Sequence, residues 1–193
     1  MTRKLTDNLK SDLLTYLPDN NQGLITPTIL RQILADTIDS LRPAWAGLLG
    51  DHTSAPVSYP LSAAWEVLKG PTLFLAAQVS DPLELSADID DGNITVQYSE
   101  YFHQGTGLIA FEGATGTEYQ FAIGVNGAPV GSTVISSLDG AGAGRIVATQ
   151  ARATLFPAAG SHMQFLARCP GGASTITISQ IQFIASLLTT RYI

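Results

Sequence analysis

The stretch STITISQIQFIASLL (174–188) decides the fold. Apolar residues fall at Ile176 and Ile178 and, after one slip, at Ile181 and Phe183, with polar residues between them. Side chains of a strand point alternately to its two faces, so this pattern gives one apolar and one polar face. Working back from it, short apolar runs recur, cut by Gly, Pro, Asn and Asp: WEVL (65–68), TLFLAAQV (72–79), LELSA (83–87), ITVQY (94–98), GLIAFEG (107–113), EYQFAIGV (118–125), STVISSL (132–138), RIVATQARATLF (145–156) and HMQFLARC (162–169). Many short strands with turn residues between them point to an antiparallel sandwich or barrel. No helical period interrupts them, which argues against a parallel α/β sheet. The expected fold class is mainly β, an antiparallel jelly-roll sandwich with extra edge pieces over 63–193.

Residues 44–62, AWAGLLGDHTSAPVSYPLS, show no clear period and contain two prolines, so they read as a linker. Before them the period changes. Leu5, Leu9, Leu13, Tyr16 and Leu17 form one stripe of a helix over 5–17, ended by Pro18. After the turn cluster DNNQG, Thr26 is a good N-cap and Pro27 suits the first helical position. Ile29, Leu30, Ile33, Leu34, Ile38 and Leu41 make the apolar face of this second helix, which Pro43 closes. Helices this short are marginal in water without a surface to pack on. Leu9, Leu13, Leu17, Leu30, Ile33, Leu34, Ile38 and Leu41 are therefore the candidates for docking or oligomerisation, and 1–43 the segment that carries them.

Composition points the same way. Charged residues are 13% of the 193-residue chain and hydrophobic ones 45%, against about 25% charged in ordinary globular proteins. A small domain this poor in charge is expected to bury surface against copies or partners. The net charge is −6. Residues 1–43 balance five basic residues with five acids, whereas 44–193 set five against eleven. With no cluster of Lys and Arg, nucleic acid is not an expected partner. Cys169 is the single cysteine, so no disulfide forms within one chain. The charged N-terminus is not a secretory signal, and no run of 18 apolar residues suggests a membrane span. Assembly in a cytoplasm is expected.

The segment LLTYLPDNNQGLITPTILRQILADTIDSL (13–41) resembles an N-terminal module of structural proteins of tailed bacteriophages. The matching positions are Ile25-Thr26-Pro27, Leu30-Arg31, Leu34, Asp36 and Ile38-Asp39-Ser40. The texture of GLIAFEGATGTEYQFAIGVNG and of the final alternating strand resembles tumour-necrosis-factor-like or complement-like jelly rolls, which form compact trimers. Together the two resemblances imply a virion structural protein, of tail-fibre-tip, appendage or capsid-decoration type. It would dock on other virion proteins through residues 1–43 and present a homotrimeric β-head. A head that binds a host receptor or surface glycan through its loops is the alternative.

Few residues invite chemistry. DIDDGN (88–93) has alternating acids, but a calcium loop needs Glu at its twelfth place, where Ser99 stands, so an acidic β-turn is the preferred reading over a loose cation site. His52, His103 and His162 lie apart, without metal-ligand spacing, and no metal or cofactor is expected. There is no Gly-x-Ser-x-Gly elbow, and Glu100, Glu112 and Glu118 are weak candidates for paired glycosidase carboxylates; no enzyme is expected. LDGAGAGR (138–145) lacks the Gly-Lys-Ser/Thr of a phosphate loop and reads as a strand connection. Tyr98, Tyr101, Phe102 and His103 are the candidates for ligand contact, because aromatics beside polar groups suit stacking on sugars; a core or trimer-interface patch is the preferred reading.

Overall fold

The computed structural model describes residues 34, 44–97, 101–131, 134–139 and 146–191. The chain divides into two units, Met1–Pro43 and Ala44–Ile193, and the second carries the fold. Apart from Leu34, the two expected helices lie outside the described residues.

In chain order the strands are β1 (Trp45–Asp51), β2 (Val57–Leu61), β3 (Glu66–Val67), β4 (Ala76–Val79), β5 (Leu85–Asp88), β6 (Asn93–Val96), β7 (Tyr101–Glu112), β8 (Thr117–Val125), β9 (Ala128–Pro129), β10 (Ile135–Asp139), β11 (Val147–Leu155), β12 (His162–Arg168) and β13 (Ser174–Arg191). They pair antiparallel in two sheets. Sheet A runs β11-β7-β13-β1-β4, with β2 beside the first part of β13. Sheet B runs β10-β8-β12-β6-β5, with β3 beside β12 and β9 beside β8. With β2 to β5 and β9 set aside as edge pieces, eight strands remain. Sheet A takes the first, eighth, third and sixth of them, and sheet B the second, seventh, fourth and fifth. That order is a jelly roll, two Greek keys wrapped into facing sheets.

The slip in the alternation of 174–188 is a β-bulge. Ile178 pairs with Phe111 and Gln180 with Ala110, leaving Ser179 extra. The bulge resets the phase, so Ile176, Ile178, Ile181, Phe183, Ala185 and Leu187 are all buried. It also marks a change of neighbour: Ser174–Ile178 pair with β2, and Gln180–Ser186 with β1. The Ser179 carbonyl accepts the His52 N–H at 2.8 Å, and its hydroxyl donates to the Ala110 carbonyl at 3.1 Å. The extra residue's carbonyl and hydroxyl are thereby satisfied.

Between the sheets runs a chain of rings. Phe111 lies 5.4 Å from Tyr119, edge-on, and 5.2 Å from Phe121; Phe121 is followed by Phe165 at 6.1 Å and Phe165 by Phe183 at 6.4 Å. All five are fully buried. Burying each such side chain stabilises by about 1.5–3 kcal/mol, and favourable ring pairs add about 0.5–1.5 kcal/mol. Small residues on β7 make room for them. A Cβ on Gly107 would lie 2.4 Å from the Phe165 ring, and one on Gly105 would lie 2.9 Å from Ile123 Cγ2.

Residues 44–62 are not a linker. They hold β1 and β2, and β1 is an inner strand of sheet A between β13 and β4. Its sequence WAGLLGD disguises this with small residues. Gly50 is required there because a Cβ would come within 2.1 Å of the Leu73 carbonyl oxygen. The acidic stretch at 88–93 is the β5–β6 turn. Asp88 Oδ1 accepts the N–H groups of Asp90 (2.9 Å) and Asp91 (3.2 Å), and Gly92 takes the left-handed conformation at φ 63°.

Candidate functional site

Alternation along sheet A sends one set of residues inward and the other to an outer face that no element of the Ala44–Ile193 unit covers among the described residues. The register lines the outer set up in rows across the strands. Trp45, Ser186, Gln104 and Thr154 form one row; Gln78, Gly47, Ile184, Thr106 and Arg152 the next. Then come Ala76, Leu49, Gln182, Leu108 and Gln150, and finally Asp51, Gln180, Ala110 and Ala148. In these rows charge appears only at the rim, as Arg152 on β11 and Asp51 at the end of β1.

The centre is uncharged, made of apolar, amide and hydroxyl side chains. A Cβ on Gly47 would sit 3.6 Å from both Trp45 Cζ3 and Ile184 Cγ1. The Trp45 ring and Ile184 thus flank Gly47 at ordinary contact distance. Trp45 and Leu108 are each 38% exposed. Beside them, Leu49, Leu108, Ala110, Ala148, Gln180 and Gln182 line a shallow depression of about 420 Å³. At the rim, Arg152 Nη2 donates to Gln104 Oε1 at 2.8 Å. Asp51 Oδ1 accepts the Thr53 hydroxyl at 2.8 Å and the Thr53 N–H at 3.1 Å. These Thr53 bonds, with smaller help from His52 and Gln180, hold the Asp51 carboxyl below its ordinary pKa.

Chemically the face offers apolar area and side-chain amides. A water-facing sheet of a monomer ordinarily carries charge on this side. A centre of Trp, Leu, Ile and Gln without Lys or Glu has the composition of an interface core.

The expected site residues fall out differently. Leu9, Leu13, Leu17, Leu30, Ile33, Ile38 and Leu41 lie outside the described residues; Leu34 is helical and 52% exposed. Tyr98 is also outside them, as is the side chain of Tyr101. Phe102 is half-buried, its ring 5.2 Å from that of Phe156. His103 is fully buried and faces the interior with Gly105 and Gly107, so it is not a surface ligand contact. Strand alternation puts Phe102 and His103 on opposite faces, and the quartet does not form one patch. His52 Nε2 is bonded to the Leu73 carbonyl at 2.8 Å, and His162 Nδ1 to Thr95 Oγ1 at 2.9 Å. Cys169 is buried and free. Among the described residues no three His, Cys, Asp or Glu side chains are grouped to hold a metal, and no helix is long and apolar enough to cross a membrane. Residues 140–145 of the Gly-rich connection lie outside the described residues. The sequence reading missed Trp45, Leu49 and Ile184 as members of a face, because what joins them is sheet register.

No protein-family model and no curated protein matches this chain in sequence. Among solved structures it is similar to the globular domain of zebrafish complement 1qA protein, at 14% identity and a TM-score of 0.49, covering 78% of this chain and 99% of that one. It is also similar to the Eiger TNF from S. frugiperda, at 13% identity and a TM-score of 0.45, covering 79% of this chain and 96% of that one.

Proposed function

We propose that this chain is a non-enzymatic assembly protein whose jelly-roll unit is a homotrimeric head. The observation that supports it is the outer face of sheet A, five strands wide and charged only at its rim. Further exposed apolar residues stand elsewhere: Val134 before β10 is 36% exposed and Ile146 before β11 is 59% exposed. Two different sticky surfaces join copies face to edge, and such a heterologous contact forms a ring when the rotation between copies closes and an open filament when it does not. Three copies is the closure proposed here. Residues 1–43 are the docking segment, and their likeness to the tailed-phage module supports a place in a virion, as a tail appendage or head decoration.

Two experiments test this reading. Light scattering on the full chain at micromolar concentration is expected to give three times the 20.4 kDa chain mass; a monodisperse monomer would overturn it. Mass spectrometry of purified phage particles from cells that make the protein is expected to find it in the particle. Its presence only in the soluble fraction would remove the virion role and leave the trimer standing.

A further inference from the structure

The opposite face of the sandwich carries a different constellation. Arg168 ends β12 and pairs across the ladder with Gln120 of β8. It shares the outer side of sheet B with Gln120 and Glu118, since Tyr119, Phe121 and Ala167 are buried against the other sheet. Its guanidinium carbon lies 4.6 Å from the centroid of the Trp65 ring. Trp65 is held there because the next two residues, Glu66 and Val67, form β3 and pair with Ala167 and Leu166. Arg168 Nε donates to Gln120 Oε1 at 2.8 Å, and Gln120 Nε2 donates to Glu118 Oε1 at 2.8 Å. Arg168, Trp65 and Gln120 are all half-buried.

The consequence is a guanidinium fixed in position before any ligand arrives. The ring takes one of its flat faces, and Gln120 takes its Nε edge. Gln120 is itself oriented by Glu118, so the oxygen offered to Arg168 is set by a chain of bonds. Among the described residues Arg168 bonds to Gln120 alone, and no carboxylate neutralises it. What it keeps for a ligand is the edge formed by its two Nη groups, a fork that matches the two oxygens of a carboxylate. Lost side-chain freedom is a main cost of binding by a long cation, and here it has been met in folding.

We propose that Arg168, Trp65 and Gln120 form a receptor for the carboxylate of an acidic sugar, of the uronic or sialic acid class. Three features select this class. The fork accepts a planar oxyanion. The exposed part of the indole suits the C–H face of a pyranose, and Gln120 serves to hold the fork in place. The surroundings disfavour heavier charge: Glu118 sits one side chain away, and residues 44–193 carry eleven acids against five basic residues, so a phosphate dianion or a polyanion is repelled where a single carboxylate is tolerated. The site goes beyond the assembly reading and does not rest on it, since its three residues lie on the sheet B side and none is among those named for the contact between copies.

The test is calorimetric or saturation-transfer NMR titration of the full chain with glucuronic acid, N-acetylneuraminic acid, glucuronamide and inorganic phosphate. At least one of the two acids is expected to saturate in the millimolar range, with glucuronamide and phosphate about tenfold weaker or worse. Arg168→Gln is expected to weaken the acid by about tenfold or more, and Arg168→Lys nearly as much, because a point charge does not replace a fork. Circular dichroism and oligomeric mass, read on the same samples, are expected to stay as in the wild type. Saturation by neither acid, equal binding of glucuronamide, tighter binding of phosphate, or undiminished binding by Arg168→Gln would each overturn the proposal. Because mass is read separately, failure of this site and failure of the trimer are distinguishable.

Discussion

Replacing Gly107 with Ala adds one methyl group at the centre of the sandwich, and the structure sets its cost. The new Cβ would lie 2.4 Å from Phe165 Cδ2, 2.5 Å from Cε2 and 2.8 Å from Cγ. Nothing within reach can yield cheaply. Phe165 is fully buried, and it packs on Phe121 and Phe183 at 6.1 and 6.4 Å. Gly107 is itself fixed between Ala151 and Phe183 by two ladders. Overpacking of this kind costs about 1–3 kcal/mol. Alanine returns about 0.5–1 kcal/mol by restricting the unfolded chain. The expected net destabilisation is about 1–2 kcal/mol. With a urea slope of about 2 kcal/mol per molar, the unfolding midpoint falls by roughly 0.5–1 M. Denaturation of the full chain is followed by circular dichroism at one protein concentration, because assembly links stability to concentration. Gly171→Ala is the control, since a Cβ there meets nothing within 4 Å, and it is expected to change the midpoint little. Phe165→Leu removes the clashing ring edge, so Gly107→Ala should cost less in that background. A Gly107→Ala protein as stable as the wild type, or an undiminished cost in the Phe165→Leu background, would refute the packing argument.

Other expectations follow from single contacts. The Tyr119 hydroxyl accepts the Ala114 N–H at 2.9 Å and bonds Ser174 Oγ at 2.8 Å; Tyr119→Phe leaves the ring chain intact and is expected to cost about 1–2 kcal/mol in the same urea assay, whereas no loss would show that the corner does not depend on it. Asp51 is held below its ordinary pKa chiefly by Thr53, so its contribution is present above the unfolded pKa and fades as pH falls through the folded one. In Thr53→Ala the carboxyl carbon is expected to titrate at higher pH by NMR, and an unmoved titration would remove the Thr53 bonds as the cause. Tyr59, whose hydroxyl bonds the Val67 carbonyl at 3.1 Å, is pushed above its ordinary value by burial. Its contribution is therefore complete below the unfolded pKa and lost as pH rises through the folded one, and Tyr59→Phe should remove from the absorbance at 295 nm one tyrosine that titrates above the ordinary value, whereas an unchanged high-pH limb would refute the shift.

How much of this was legible in the sequence depends on where the information sits. The final strand was readable because its own side chains alternate, and even the bulge at Ser179 showed as a slip between Ile178 and Ile181. Strand β1 was not readable. Its apolar residues are separated by Gly47 and Gly50, and those glycines answer to partners far along the chain, Ile184 and the Leu73 carbonyl. Strand β2 contains Pro60, a residue that breaks a strand pattern and is tolerated here beside Thr175. The outer face of sheet A was hidden for a related reason. Trp45, Leu49, Leu108 and Ile184 are ordinary one by one, and only the β1–β13–β7 register makes them neighbours. The aromatic quartet at 98–103 shows the reverse error: sequence proximity suggested a patch, and strand alternation divides Phe102 from His103.

The central claim is that copies of this chain meet through the outer face of sheet A. Light scattering of Ile184→Glu beside the wild type tests it most directly. Ile184 points away from the core, so a carboxylate there leaves the fold intact, but within an interface it would be buried without a partner, a cost of several kcal/mol. The account predicts a wild-type mass of three chains, and a folded Ile184→Glu protein with the mass of one. A variant that keeps the wild-type oligomeric mass would contradict it.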